Sequence, residues 1–184
     1  MLTREEAFTL IKKYLKDDEN IKYALAVEAI LREMARRLGK NEELWGLTGL
    51  LHNLDYEFTS GDPQNRGTLA AQILEGLLPE DSINAIKANN YLYSDYIPVT
   101  SLDKALIATV SLTGLIFATA KSIPSKKLSD VDINVLYAKF NDPGFAPNCN
   151  RSRIKLCVDT GIEVETFLAL SLKTLQGIAD EIGL

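Results

Sequence analysis

Apolar residues recur every three or four positions along most of the chain, and this spacing restricts the fold more than any other feature. Ala24, Leu31 and Leu38, for example, follow one another at seven-residue intervals, which places them on one face of a helix with 3.6 residues per turn. No stretch shows the sustained two-residue alternation of a half-buried strand. The pattern predicts an all-α fold, a compact multi-helix bundle formed as a single domain by residues 1–184.

Capping residues predict where the helices begin and end. Thr3 and Glu6 have the spacing of a capping box at the start of the first helix. Gly39 predicts the end of the second helix, because glycine tolerates the left-handed conformation found there. Ser101 and Asn150 are the expected N-caps of two later helices.

Charge and length exclude several classes of partner. The chain has 184 residues, 46% of them apolar, and a net charge of −5. An acidic balance argues against nucleic-acid binding, which needs a basic surface, and against an anionic membrane surface. The uncharged residues 105–120 are fewer than the roughly 17–25 that span a bilayer, so we expect a buried helix there and no membrane partner.

The N-terminal segment and the cysteines suggest a cellular compartment. Half of the first six residues are charged, and they contain no apolar signal core, which predicts a cytoplasmic protein. Cys149 and Cys157 are the two cysteines, and in a reducing compartment we expect both to be free thiols.

The chain contains a single histidine, His52, so it cannot form a histidine-rich metal centre. A buried, hydrogen-bonded histidine is one interpretation of this residue. A second interpretation is a reduced metal site that combines His52 with Asp55, three residues later, and with Glu28. These two acidic residues are therefore candidates for supporting a pocket beside His52.

The segment from Gly49 to Tyr56 resembles the signature of the HD-domain metal-dependent phosphohydrolases, in particular a small prokaryotic subgroup of similar length. The similarity lies in Gly-Leu-Leu-His at 49–52 and in Asp55-Tyr56. It continues in the same order through residues 61–63, 112–115, 124–128 and 179–184. The resemblance implies an HD-domain-like helical bundle around a divalent metal such as Mn, Mg, Fe, Ni or Zn, which activates water for hydrolysis.

The resemblance also assigns the family's metal ligands to six positions of this chain. These positions hold Tyr23, His52, Asn53, Arg66, Asn89 and Val110. Histidine is the one family ligand retained, because an amide oxygen is a weak ligand for transition metals, valine has no donor, and arginine repels a cation. The resemblance therefore implies a lost metal site, with no catalytic residue, no metal and no cofactor.

The residues of this former metal site have expected structural roles. Asn53 and Asn89 are expected to exchange hydrogen bonds with each other, with Tyr23 or with water, since buried amides are satisfied. Arg66 follows a turn and is expected to be solvated, while Val110 is expected in the core.

Three hypotheses for function follow. The first is an HD-type fold that has become catalytically inactive and binds a small molecule; if Arg66 points inward, this is an anion such as phosphate or carboxylate. The alternative is an active phosphohydrolase, acting on a nucleotide or another phosphoester through an altered metal site. The third is an interaction protein that forms a homodimer through an apolar surface patch.

Overall fold

The computed structural model describes all residues, 1–184, and consists of helices and loops without a β-strand. The predicted all-α fold class is confirmed. The ten α-helices are α1 (Arg4–Tyr14), α2 (Asp18–Leu38), α3 (Glu42–Leu51), α4 (Thr68–Leu74), α5 (Glu80–Ala88), α6 (Ser101–Ser122), α7 (Ile133–Asn141), α8 (Arg151–Ile154), α9 (Val164–Gln176) and α10 (Ala179–Ile182). Short 3₁₀ helices cover Pro63–Asn65, Leu128–Asp130 and Lys155–Thr160.

Helix α6 lies at the centre of the fold. It contacts α2, α3, α5, α7, α8 and α9, and the core around it is one continuous cluster of buried side chains that extends from Ala7 to Ile182. By length and composition α6 could cross a membrane, but 72% of its most apolar stretch is buried inside the protein. This burial is typical of the central helix of a soluble protein.

Most predicted helix ends are confirmed. Thr3 and Glu6 form the capping box of α1, and Gly39 ends α2 with a left-handed φ of 64°. The N-cap of α6 was predicted wrongly. It is Thr100, not Ser101, because the hydroxyl of Thr100 accepts a hydrogen bond from the Asp103 backbone while the Asp103 carboxylate accepts one from the Thr100 backbone.

Helices α2 and α3 approach each other closely at Gly49. A side-chain carbon at this position would lie 3.0 Å from the carbonyl oxygen of Val27 and 3.1 Å from the Cα of Glu28. Only glycine fits so close to the backbone of the neighbouring helix. The contact places the C-terminal end of α3, and therefore His52, next to the middle of the bundle.

Candidate ligand-binding site

A cavity of about 700 Å³ opens between α2, the ends of α3 and α5, α6, and the loop that leads into α8. All six residues at the positions that the resemblance assigns to metal ligands line this one cavity: Tyr23, His52, Asn53, Arg66, Asn89 and Val110. They come from five separate parts of the chain, and the helical bundle brings them together.

His52 is a buried and uncharged member of the cavity wall. It is 5% exposed, and its Nδ1 lies 2.7 Å from the carbonyl oxygen of Gly49. Since a carbonyl only accepts, Nδ1 carries the proton and Nε2 presents a lone pair. Burial, with a smaller contribution from the charge of Arg153, lowers the pKa of His52 to about 4. The interpretation of His52 as a buried, hydrogen-bonded histidine is confirmed.

Tyr23 spans the cavity wall between α2 and α6. Its hydroxyl donates a hydrogen bond to the carbonyl oxygen of Val110, and its ring packs edge-on against Phe117 at 5.7 Å between centroids. Val110 is partly buried: it packs against the core cluster and also lines the cavity. Its expected place in the core is therefore confirmed only in part.

The two asparagines bond neither to each other nor to Tyr23, two of the three partners that were expected for them. Asn53 is 7% exposed, and its Oδ1 has no hydrogen-bond partner. The Oδ1 of Asn89 instead accepts a hydrogen bond of 2.8 Å from Arg153. The pairing of the two amides does not form because Arg153 of α8, distant in sequence, enters the cavity and donates to the side-chain oxygen of Asn89.

Arg66 lines the cavity and is only partly exposed, so its expected solvation is met only in part. Its guanidinium lies 4.6 Å from the ring centroid of Tyr56 and makes two long contacts with Thr59, of 3.5 and 3.4 Å. Gly67, the next residue, has a φ of 83°, and this left-handed turn redirects the chain into α4. The Nη1 of Arg66 donates to no protein atom.

Arg153 is a site residue that the sequence did not reveal. Its Nε donates to the hydroxyl of Ser111 at 3.0 Å, and its Nη2 donates to the backbone and side-chain oxygens of Asn89 at 2.9 and 2.8 Å. The guanidinium lies over the ring of Tyr91. Burial lowers the pKa of Arg153 below that of an exposed arginine, yet a guanidinium stays protonated in a protein.

The cavity has an excess of positive charge. Its lining contains three basic side chains, Arg66, Arg153 and Lys121, and one acidic side chain, Glu19. Lys121 pairs with Glu19 at 3.5 Å, whereas neither arginine forms a salt bridge. Two partly buried guanidinium groups are therefore left without a counterion, and Nη1 of each has no protein acceptor.

The predicted supporting residues Glu28 and Asp55 do not line the cavity. Glu28 is held by Arg4 at 2.7 Å and by Arg32 at 2.9 Å. The Oδ2 of Asp55 accepts hydrogen bonds from the backbone at the start of α4. A reduced metal site formed by these two carboxylates and His52 is therefore wrong, because each carboxylate is used by another part of the fold.

The residues present do not fit a divalent metal. No three His, Cys, Asp or Glu side chains lie close enough to share an ion. His52 is the single good donor in the cavity, and its neighbour Arg153 is close enough to disfavour a second positive charge there. Structural and catalytic metal sites need at least three protein ligands.

One wall of the cavity is held in place by Arg151. Its guanidinium donates hydrogen bonds of 2.7–3.1 Å to the carbonyl oxygens of six residues: Lys139, Phe140, Asp142, Phe145, Ala146 and Cys149. These contacts order the loop before α8, whose residues Asn148 and Cys149 face the cavity. The wall is thus built by an arginine that forms no ion pair.

No protein-family model, no curated protein and no solved structure matches the chain.

Proposed function

We propose that the protein binds a small anion, a carboxylate or a phosphate, in the cavity, and that it does so without metal-dependent hydrolysis. In this proposal the chain is an HD-domain-like protein whose metal pocket has become an anion pocket. The observation that carries the proposal is the pair of guanidinium groups, Arg66 and Arg153, which line the cavity without a carboxylate partner.

The energetics of a partly buried charge favour an anionic ligand. A guanidinium that leaves water loses solvation free energy, and the loss is recovered only when a counterion or good acceptors take the place of water. Arg153 has partial compensation from Ser111 and Asn89, and Arg66 has two long contacts to Thr59. An oxyanion would accept from the free Nη1 groups in charge-assisted hydrogen bonds.

The chemistry of the remaining lining supports binding rather than turnover. A metal-dependent hydrolase uses carboxylate and imidazole ligands to hold an ion that activates water, and the cavity offers one neutral imidazole. We further propose that the protein acts in the cytoplasm, because both of its cysteines are free thiols.

Isothermal titration with inorganic phosphate, benzoate and manganese chloride tests this function. We expect the anions to bind and the affinity to fall about 10–100-fold in Arg153→Gln and in Arg66→Gln, because charge-assisted hydrogen bonds are lost. Arg37→Gln is the matched control, since Arg37 is exposed and forms no salt bridge. Tight manganese binding without anion binding, or phosphoester turnover that disappears in His52→Ala, would contradict the proposal.

Self-association is a second candidate function, and one surface supports it. The loop between α5 and α6 exposes five large apolar side chains, with Ile97 at 79% and Val99 at 73% exposure; the others are Leu92, Tyr93 and Tyr96. Clustered exposed apolar residues are typical of interfaces. Light scattering during gel filtration should show a dimer that dissociates in Ile97→Asp; a monomeric wild-type protein would exclude this function.

A further inference from the structure

We infer that the ligand is an organic acid that also carries a hydrogen-bond donor and an apolar body, and is not a simple inorganic oxyanion. This inference rests on the proposed anion-binding function and specifies its ligand. It is based on three features of the same cavity: free acceptors, free cationic donors and an apolar wall.

The acceptors lie at the C-terminal end of α3. His52 is locked in the Nδ1–H form by the carbonyl oxygen of Gly49 at 2.7 Å, so Nε2 is an acceptor, and no protein group donates to it. The unpaired Oδ1 of the next residue, Asn53, is buried just beneath the cavity surface and would become accessible to a ligand after a shift of its side chain. A buried acceptor without a donor costs free energy, so this end of the cavity is suited to an O–H or N–H group of a ligand.

The cationic donors belong to the same cavity. The charge of Arg153 is close enough to His52 to influence its protonation, and Arg66 lines the same cavity. A ligand that bridges these groups needs an acidic group for the guanidiniums and a separate donor for the imidazole. Phosphate or sulfate could neutralise the arginines, but neither ion has an apolar body to pack against the rest of the cavity.

The size and walls of the cavity indicate the remaining part of the ligand. A volume of about 700 Å³ exceeds that of a single inorganic anion many times, since one water occupies about 30 Å³. The wall beside His52 is formed by the ring of Tyr23, which packs on Phe117, and by Val110. This aromatic and apolar wall gives the body of an organic ligand a surface to pack on, while polar side chains elsewhere in the lining can fix its orientation.

Matched benzoates test the inference on the unmodified protein. The probes are 3- and 4-hydroxybenzoate, 3- and 4-methoxybenzoate, benzoate and inorganic phosphate, each titrated at pH 7. A hydroxyl donates a hydrogen bond and a methoxy group of similar shape does not. We expect at least one hydroxybenzoate to bind about tenfold tighter than its methoxy partner and than phosphate, the size expected for one buried hydrogen bond.

His52→Phe tests the assignment of the acceptor. This variant keeps an aromatic ring of similar size and removes both nitrogens, so the preference for hydroxyl over methoxy should disappear while benzoate still binds. Arg153→Gln should instead weaken all of the anions together. If His52→Phe does not fold, as judged by circular dichroism, the comparison of hydroxy and methoxy probes on the wild-type protein still tests whether the cavity prefers a ligand with a hydrogen-bond donor.

The outcomes separate this inference from the proposed function. Equal binding of hydroxy and methoxy probes, or phosphate binding as tight as either, with a loss in Arg153→Gln, would overturn the inference and leave anion binding in place. If neither phosphate nor any benzoate bound, the proposed function and the inference would both be overturned.

Discussion

His52 is deeply buried and its ring is neutral, and this combination makes the stability of the fold depend on pH. The side chain is 5% exposed and its pKa is lowered to about 4. In the unfolded chain the same residue would have its ordinary pKa of 6.5. Folding therefore requires the imidazole to remain uncharged, so acid should favour the unfolded state.

Acidification should destabilise the protein through His52. Because the folded pKa is below the unfolded pKa, the contribution of His52 is fully present above pH 6.5 and is lost as the pH falls towards 4. The pKa difference corresponds to about 3 kcal/mol of unfolding free energy. Urea unfolding at several pH values should show this loss in the wild type and a shallower dependence between pH 6.5 and 4.5 in His52→Gln. Identical pH profiles for the two proteins would contradict the assignment.

Asp55 should change the stability of the protein with pH in the opposite direction to His52. It is fully buried, its Oδ1 has no partner, and burial raises its pKa. Asp55→Asn keeps an oxygen to accept from the backbone of Gly67 and Ala70 and removes the buried charge. We expect the variant to be more stable at pH 7 by on the order of 1 kcal/mol.

The stability difference between Asp55→Asn and the wild type should depend on pH, and this dependence identifies the buried carboxyl group as its cause. Folded Asp55 holds its proton more tightly than unfolded Asp55, so wild-type stability from this group is present below pH 3.8 and is lost as the pH rises through the raised folded pKa. The advantage of Asp55→Asn should therefore shrink on acidification. A variant that is less stable at pH 7 would show that the carboxylate stabilises the start of α4 by its charge.

At the scale of the elements, the contact between α2 and α3 determines where the cavity lies. Gly49 lies against the backbone of Val27 and Glu28, and three residues later His52 leaves α3 at the cavity wall. Any increase in the separation of these two helices would move His52 relative to Tyr23, whose ring lies 6.3 Å away between centroids.

Gly49→Ala should destabilise the protein and weaken anion binding. The new methyl group would lie 3.0 Å from a backbone oxygen that cannot rotate away, and such overpacking costs about 1–3 kcal/mol. Alanine favours an isolated helix by about 1 kcal/mol over glycine. A net loss of stability would therefore be caused by the contact between α2 and α3. Gly61→Ala is the control, because nothing lies within 4 Å of its added carbon. Equal thermal stability of the two variants would show that α2 and α3 can separate freely.

At the scale of the molecule, the cavity joins parts of the chain that are otherwise separate. Arg153 in α8 reaches Asn89 and Ser111, which are 64 and 42 residues away in sequence. A ligand held by Arg66, Arg153 and His52 would cross-link the same parts of the bundle. Ligand binding should therefore stabilise the whole fold and not one segment alone.

Benzoate should raise the midpoint of thermal unfolding. At a concentration 100 times the dissociation constant, a ligand that binds the folded state alone adds about 2.7 kcal/mol of stability. The increase should be smaller in 0.5 M sodium chloride, at roughly 0.5 M ionic strength, because salt screens the guanidinium charges. At the same benzoate concentration it should fall to about 0.4–1.4 kcal/mol in Arg153→Gln, whose affinity is about 10–100-fold weaker, and it should be unchanged in Arg37→Gln. A rise of equal size in all three proteins would point to binding outside the cavity.

The helical fold and most helix ends could be predicted from the sequence because they depend on local information. A 3.6-residue periodicity and a capping box such as Thr3 with Glu6 involve residues within a few positions of each other. The same locality explains the error at Ser101, since Thr100 and Ser101 are adjacent hydroxyl residues and the choice between them depends on the position of Asp103.

The charge and contents of the cavity were decided by the tertiary structure. The direction of Arg66, the entry of Arg153 and the use of Glu28 and Asp55 elsewhere all depend on partners distant in sequence or on a turn. No periodic pattern encodes these contacts, because they form only when the helices pack. Local sequence therefore specified the helices, and their packing turned a set of unrelated polar residues into one positively charged cavity.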